Sequence, residues 1–126
     1  YFRADDGING EELWVTDGTS SGTVMLKDIN TTALDAGSSI YSFTEFGGKL
    51  YFWAYDGINC EELWVTDGTS SGTVMLKDIN TTSSYGSSPS SITEFNGKLY
   101  FSADDGINGR ELWVTDGTSS GTVMLE

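Results

Sequence analysis

The octapeptide ELWVTDGT at Glu62–Thr69 decides the fold, because it also occurs at Glu12–Thr19 and at Glu111–Thr118. The tryptophans of the three copies are 50 and then 49 residues apart. Identity extends well beyond the octapeptide, since the 22 residues Glu11–Thr32 match Glu61–Thr82 at every position. A repeat of about 50 residues built from short strand-like segments is typical of propeller blades or of other stacked β units. A side chain present in every copy is therefore interpreted as scaffold before it is considered for an active site.

Turn signals divide the middle copy into four strand-sized segments. The predicted strands are Tyr41–Phe46, Lys49–Tyr55, Glu62–Thr66 and Thr73–Ile79. The first ends at Gly47-Gly48, and its counterpart in the next copy ends at Asn96-Gly97, the strongest short hairpin signal. Apolar residues alternate with a period of two, so a helix has almost no support. Each copy is predicted to form one four-stranded, antiparallel, up-and-down sheet.

Both faces of each predicted sheet are apolar. One face of the second strand carries Leu50, Phe52 and Ala54, and the opposite face carries Tyr51, Trp53 and Tyr55. A sheet that is apolar on both sides must be covered on both sides, which a stack of blades provides and a two-sheet sandwich does not. The predicted fold class is therefore all-β, with about three propeller blades per chain.

The three copies divide the chain into three units. We expect blade 1 over residues 1–30, without its first strand, blade 2 over residues 31–80 and blade 3 over residues 81–126. The first copy begins at its second strand, and Glu126 replaces the lysine of the other copies, so we expect an engineered or truncated piece of a longer array.

Three blades do not close a ring, because propellers use about four to eight. The expected partner is a second copy of the chain, and a homodimer with six blades is the simplest closed solution. An open assembly, in which the same interface adds copies end to end as fibres, is the alternative.

Charge excludes two classes of partner. The chain has 6 Lys and Arg against 19 Asp and Glu, no histidine, and a net charge of −13. Nucleic acid is not expected, because binding to phosphates needs clustered Lys and Arg. The same reason excludes an anionic membrane surface, and no segment approaches the ~18 apolar residues of a membrane span. Cations and neutral glycans stay open as ligands.

The third copy carries the residues of a known repeat. LYFSADDG at Leu99–Gly106, ELWVTDGT at Glu111–Thr118 and Gly121-Thr122 resemble the bacterial ELWxxDGT tandem-repeat family. The resemblance covers nearly the whole chain and implies a β-propeller in an extracellular or cell-surface protein. It implies no activity and no ligand. The chain departs from the pattern at Trp53, Tyr55, Cys60 and Arg110.

Two acidic turns suggest a calcium site. Their candidate ligands are Asp5, Asp6 and Asn9 in the first copy and Asp104, Asp105 and Asn108 in the third. Carboxylate and amide oxygens suit a hard cation, but the spacing is not that of an EF-hand, and Tyr55 replaces the first Asp in the middle copy. The favoured alternative is a hairpin turn in which the Asp side chains accept hydrogen bonds from nearby backbone N–H groups.

The positions at which the copies differ are the better candidates for ligand binding. Tyr51, Trp53 and Tyr55 form an aromatic row that could stack on a sugar ring. The favoured alternative is that they fill a gap between blades.

No catalytic activity is expected. With no histidine and a single cysteine, Cys60, neither a zinc site nor a Ser/His/Asp site can be built. Near-identical copies also give their carboxylates near-identical environments, whereas an acid/base pair needs separated pKa values. We therefore predict a non-catalytic structural or binding scaffold without a cofactor. The competing prediction is a glycan- or calcium-binding module with one site per blade.

Overall fold

A computed structural model describes residues 1–82 and 85–125, which form three antiparallel sheets and no helix. The first sheet contains β1 (Phe2–Asp5), β2 (Glu11–Val15) and β3 (Val24–Lys27). The middle sheet contains β4 (Tyr41–Phe46), β5 (Lys49–Tyr55), β6 (Glu61–Thr66) and β7 (Val74–Lys77). The third sheet contains β8 (Ser90–Phe95), β9 (Lys98–Asp104), β10 (Arg110–Thr115) and β11 (Val123–Met124). The all-β prediction is confirmed, and Glu126 lies outside the described residues.

Each sheet is an up-and-down meander, because its strands pair in the order in which they occur along the chain. The β8–β9 hairpin turns at Asn96 and Gly97, whose φ angles are 50° and 74°. The β4–β5 hairpin turns at Gly47 and Gly48, with φ angles of 58° and 75°. Positive φ at both central residues defines the turn that matches the twist of two neighbouring strands. The two hairpins predicted from these dipeptides are thus present.

The fourth strand of the middle sheet is shorter than predicted. The turn signals predict it over Thr73–Ile79, but it covers Val74–Lys77. The backbone N–H groups of Ile79 and Asn80 donate to the carboxylate of Glu62 instead of to a neighbouring strand. The chain therefore leaves the sheet at Asp78, because a buried acid takes over the hydrogen bonds that a longer strand would have used.

The middle sheet buries both of its faces, as its two-sided apolar pattern predicts. On one face Phe52, Ala54 and Trp64 form a buried cluster with Leu13 of the first sheet. On the other face the cluster joins the middle and third sheets and contains Tyr51, Leu63, Val65, Leu76, Ile79, Leu99, Phe101, Ala103 and Trp113. Full burial of a ring such as Phe52 contributes on the order of 1.5–3 kcal/mol to stability. The core is thus the two layers between sheets.

Candidate functional site

The end of the octapeptide forms a turn held by its own side chains. Asp67 Oδ1 accepts hydrogen bonds from the backbone N and the Oγ1 of Thr69, at 2.9 and 2.7 Å. Thr66 Oγ1 accepts from Gly68 N at 3.0 Å, and Thr69 Oγ1 accepts from Gly72 N at 2.9 Å. The same bonds recur in the other two copies. The bond from the Thr69 hydroxyl, followed by that from its backbone N–H, lowers the pKa of Asp67. The carboxylate of Asp67 therefore stabilises the turn.

The acidic hairpin tip of the third sheet is organised in the same way. Asp105 Oδ1 accepts from the backbone N of Ile107 and of Asn108, at 2.9 and 2.7 Å, and its Oδ2 accepts from Asn108 Nδ2 at 2.7 Å. Asp104 Oδ1 accepts from Gly106 N at 2.7 Å. The backbone bond from Asn108 is the largest cause that lowers the pKa of Asp105. The bonds predicted by the hairpin interpretation are therefore present.

The first copy repeats this tip with Asp5, Asp6 and Asn9. Asp5 Oδ1 accepts from Gly7 N at 2.6 Å, and Asp6 accepts from Ile8 N, Asn9 N and Asn9 Nδ2. Within residues 1–82 and 85–125, no three Asp, Glu, His or Cys side chains converge as a metal site would require. In both tips the asparagine amide is a donor to the neighbouring carboxylate, so calcium would have to displace these bonds to bind there.

The predicted aromatic row is split by the structure. Tyr51 is only 2% exposed and lies in the cluster between the middle and third sheets. Its hydroxyl covers the turn at Gly117, where an added Cβ would lie 2.5 Å from that oxygen. Burial, and to a lesser extent the charge of Asp116, raises the pKa of Tyr51. Tyr51 presents no open ring face to a sugar and packs between sheets, which is what the alternative interpretation predicts.

Trp53 and Tyr55 are half-buried, and Trp53 pairs with Tyr41, which the sequence pattern does not single out. The ring of Tyr41, 44% exposed, lies 5.1 Å from that of Trp53, centroid to centroid, at an angle of 40°. The guanidinium carbon of Arg3 lies 4.6 Å from the centroid of Tyr41. Cross-strand pairing of Tyr41 with Trp53 explains the contact, because directly opposite residues share a face.

Two buried glutamates are also absent from the sequence-based predictions. Glu62 is fully buried, and its carboxylate accepts hydrogen bonds from Ile79 N at 3.0 Å, Asn80 N at 3.3 Å, Ser87 N at 2.9 Å and Ser87 Oγ at 2.6 Å. These donors belong to the linker that leads from the middle sheet to the third. Burial raises the pKa of Glu62 and outweighs the hydrogen bonds, which act in the opposite direction.

Glu12 has the equivalent role in the first copy. It accepts from Ile29 N at 2.9 Å and from Ser38 Oγ at 2.5 Å, and burial raises its pKa. The third member of the series, Glu111, is half-buried and makes no side-chain hydrogen bond to any described residue. The sequence indicates this role through a glutamate that directly precedes Leu in all three copies. A buried position at the start of a strand explains why the acid recurs there.

Comparisons with family models, curated proteins and solved structures found no match to the chain. Residues 1–82 and 85–125 contain no helix long and apolar enough to cross a membrane. Function is therefore inferred from the geometry of the sheets and turns.

Proposed function

We propose that the chain is a non-catalytic structural or binding scaffold, a β-propeller piece of the ELWxxDGT type that closes by self-association. The observation that carries this proposal is an inter-sheet junction that occurs twice. Lys27 Nζ of the first sheet donates to Thr73 O of the middle sheet at 2.7 Å. Lys77 Nζ of the middle sheet donates to Thr122 O of the third sheet, also at 2.7 Å. A repeated junction relates each sheet to the next by the same step, which is how blades are arranged.

Two further observations support blades. The first strands β4 and β8 lie against each other, as first strands do around a propeller axis. Tyr1 and Tyr51, at equivalent positions of the first two copies, also cover the turn of the next sheet: an added Cβ would lie 2.8 Å from the Tyr1 hydroxyl at Gly68 and 2.5 Å from that of Tyr51 at Gly117. Identical contacts at successive junctions favour a ring or a regular array over a sandwich.

The way in which the repeated acids are used supports the non-catalytic part of the proposal. Asp67 and its equivalents hold turns, and Glu12 and Glu62 hold linkers. The chain has no histidine, so a general base with a pKa near neutrality is missing from the usual side chains. An extracellular or surface location rests on the family resemblance, and the charge of −13 argues against nucleic acid.

Solution mass tests the proposal. Light scattering coupled to size exclusion should give a species of at least twice the 13.6 kDa chain mass, and small-angle scattering should show a ring-like particle if the dimer closes. A monomer across the whole concentration range would contradict closure by self-association.

The second candidate is a glycan-binding module. The exposed ring of Tyr41 beside Trp53 favours it, because aromatic faces are the usual platforms for sugars. A glycan array probed with the wild type and with Trp53→Ala separates the candidates. Binding that Trp53→Ala abolishes supports the module, and no binding by the wild type supports the scaffold.

A further inference from the structure

The two outer faces of the three-sheet stack carry the equivalents of residues that pack between sheets inside the stack. No described sheet covers these outer faces. We propose that the outer face of the third sheet binds the outer face of the first sheet of a second copy, head to tail. This inference rests on the proposed self-association and adds to it the contact residues and the orientation. Its support comes from the difference between each outer residue and its equivalents inside the stack.

The third sheet has an uncovered apolar face. Leu112 is 48% exposed, whereas its equivalents Leu13 and Leu63 are fully buried by the next sheet. Leu125 is 46% exposed, whereas its equivalent Leu76 is 8% exposed. A following sheet covers Leu13, Leu63 and Leu76, whereas no described sheet covers Leu112 and Leu125. The outer face of the third sheet is thus one half of an internal junction.

The first sheet presents the matching half. Ala4 is partly exposed, whereas Ala54 and Ala103 are fully buried against the preceding sheet. Thr16 is exposed on the turn of the first copy, although Thr66 and its equivalent in the third copy are buried. A small residue at the position of Ala4 lets the preceding sheet approach closely.

The turn of the first copy lacks its tyrosine. A Cβ on Gly18 would meet nothing within 4 Å, whereas one on Gly68 or Gly117 would meet a tyrosine hydroxyl of the preceding sheet. The tyrosine without a turn is Tyr100 of the third sheet, which is half-buried. Docking the third sheet on the first places Tyr100 at Gly18 and repeats both internal contacts.

The orientation follows from the two faces. They are different surfaces, so the contact between copies is heterologous: it closes a ring if the rotation permits and otherwise grows into an open array. The new junction does not repeat the contact between β4 and β8, because the first sheet has no equivalent of β4, and it does not repeat the lysine contact. Glu126, outside the described residues, occupies the place in the repeat that Lys27 and Lys77 hold. We therefore expect Glu126→Lys to tighten the association.

Complementation between two single-face variants tests the proposal. Ala4→Lys blocks the first-sheet face and Leu112→Lys blocks the third-sheet face, since a buried lysine without a partner is strongly disfavoured at an interface. Each variant alone should be monomeric by sedimentation velocity, with a Kd at least about 30-fold weaker than that of the wild type. An equimolar mixture should form a dimer, because one unaltered face of each kind is present.

The matched control is Ile107→Lys. It adds the same charge to the third sheet at a hairpin tip that is exposed in all three copies, at Ile8, Ile58 and Ile107. This variant should associate as the wild type does. Leu125→Lys replaces Leu112→Lys if circular dichroism shows that the latter is unfolded, because Leu125 lies beyond the last strand.

The outcomes separate the two proposals. A monomeric wild type overturns self-association itself. A wild type that associates while Ala4→Lys and Leu112→Lys associate equally well overturns the head-to-tail contact alone. Loss of association in only one of the two variants indicates an isologous contact and also overturns it. A mixture that stops at a dimer, whether the wild type forms rings or fibres, supports it.

Discussion

Removing the carboxylate of Glu62 should destabilise the protein far more than removing the same group from Glu111. The two acids occupy equivalent positions in the repeat, but only Glu62 is fully buried. Its two oxygens accept four hydrogen bonds from the linker to the third sheet. The perturbation is Glu62→Ala, with Glu111→Ala as the matched control.

The magnitude follows from the donors left behind. Glu62→Ala removes the acceptor of the backbone N–H groups of Ile79 and Ser87, and a buried donor without a partner costs about 1–3 kcal/mol. The sum is reduced because the buried carboxylate no longer has to be desolvated and because water can enter the space. We expect the free energy of unfolding to fall by about 3 kcal/mol for Glu62→Ala. For Glu111→Ala the expected change is within about 0.5 kcal/mol.

Equilibrium unfolding in urea measures both values, with an unchanged slope as the check that the same transition is observed. Hydrogen exchange locates the effect, since the amides of Ile79, Asn80 and Ser87 should lose protection before the strands do. Equal losses of stability in the two variants, or unaltered exchange at the three linker amides, would show that Glu62 does not hold the linker.

Four other features of the structure can be tested by substitution, titration or chelation. Burial raises the pKa of Glu62 above 4.5, so the folded state holds this proton more tightly than the unfolded state does. The contribution of Glu62 to stability should therefore fall as pH rises from 4.5 through the raised pKa. The difference in unfolding free energy between the wild type and Glu62→Gln should change only in that pH window. Gly117→Ala should lower the free energy of unfolding by about 2 kcal/mol. Half of this arises from the φ of +93°, and half from the Tyr51 hydroxyl oxygen, which would lie 2.5 Å from the added Cβ. In a double-mutant cycle measured by urea unfolding, Tyr51→Phe should remove the second half. Cys60 has a φ of 60° where the other copies have glycine, so Cys60→Gly should raise the unfolding free energy by about 0.5–1 kcal/mol, and a lower thermal midpoint would contradict this reasoning. Backbone N–H groups of the turns donate hydrogen bonds to the carboxylates of the acidic tips, so chelation of calcium should leave the thermal midpoint unchanged. A drop of the midpoint by several degrees would support the calcium hypothesis instead.

Strands and turns are predictable from sequence because neighbouring residues determine them. Tyr41–Phe46 and Lys49–Tyr55 match the structure at both ends, since alternation and a glycine pair define them locally. The fourth strand is predicted too long, because its end depends on Glu62, which is 17 residues from Ile79 in the chain. Strand ends are decided by competition for backbone hydrogen bonds, and local pattern does not include distant acceptors.

The candidate site is less predictable than the fold. The hairpin role of Asp104 and Asp105 is accessible from sequence, because their bonds reach only two or three residues along the chain. The aromatic row is selected by its shared strand face, but a face says nothing about what covers it. Tyr51 is covered by the third sheet, and Trp53 pairs with Tyr41 on the neighbouring strand.

By itself the sequence determined the repeat, the all-β class and the hydrogen-bonding chemistry of the acidic hairpin tips, since all of these act within one copy. Only the tertiary structure decided which copies of a residue are buried. Leu63 and Leu112 occupy equivalent positions, yet one is fully buried and the other is 48% exposed. Burial depends on the next sheet, about 50 residues away, and near-identical repeats carry no local mark of whether that sheet is present. The exposed faces of the three sheets are therefore defined by how the sheets stack and not by the motif.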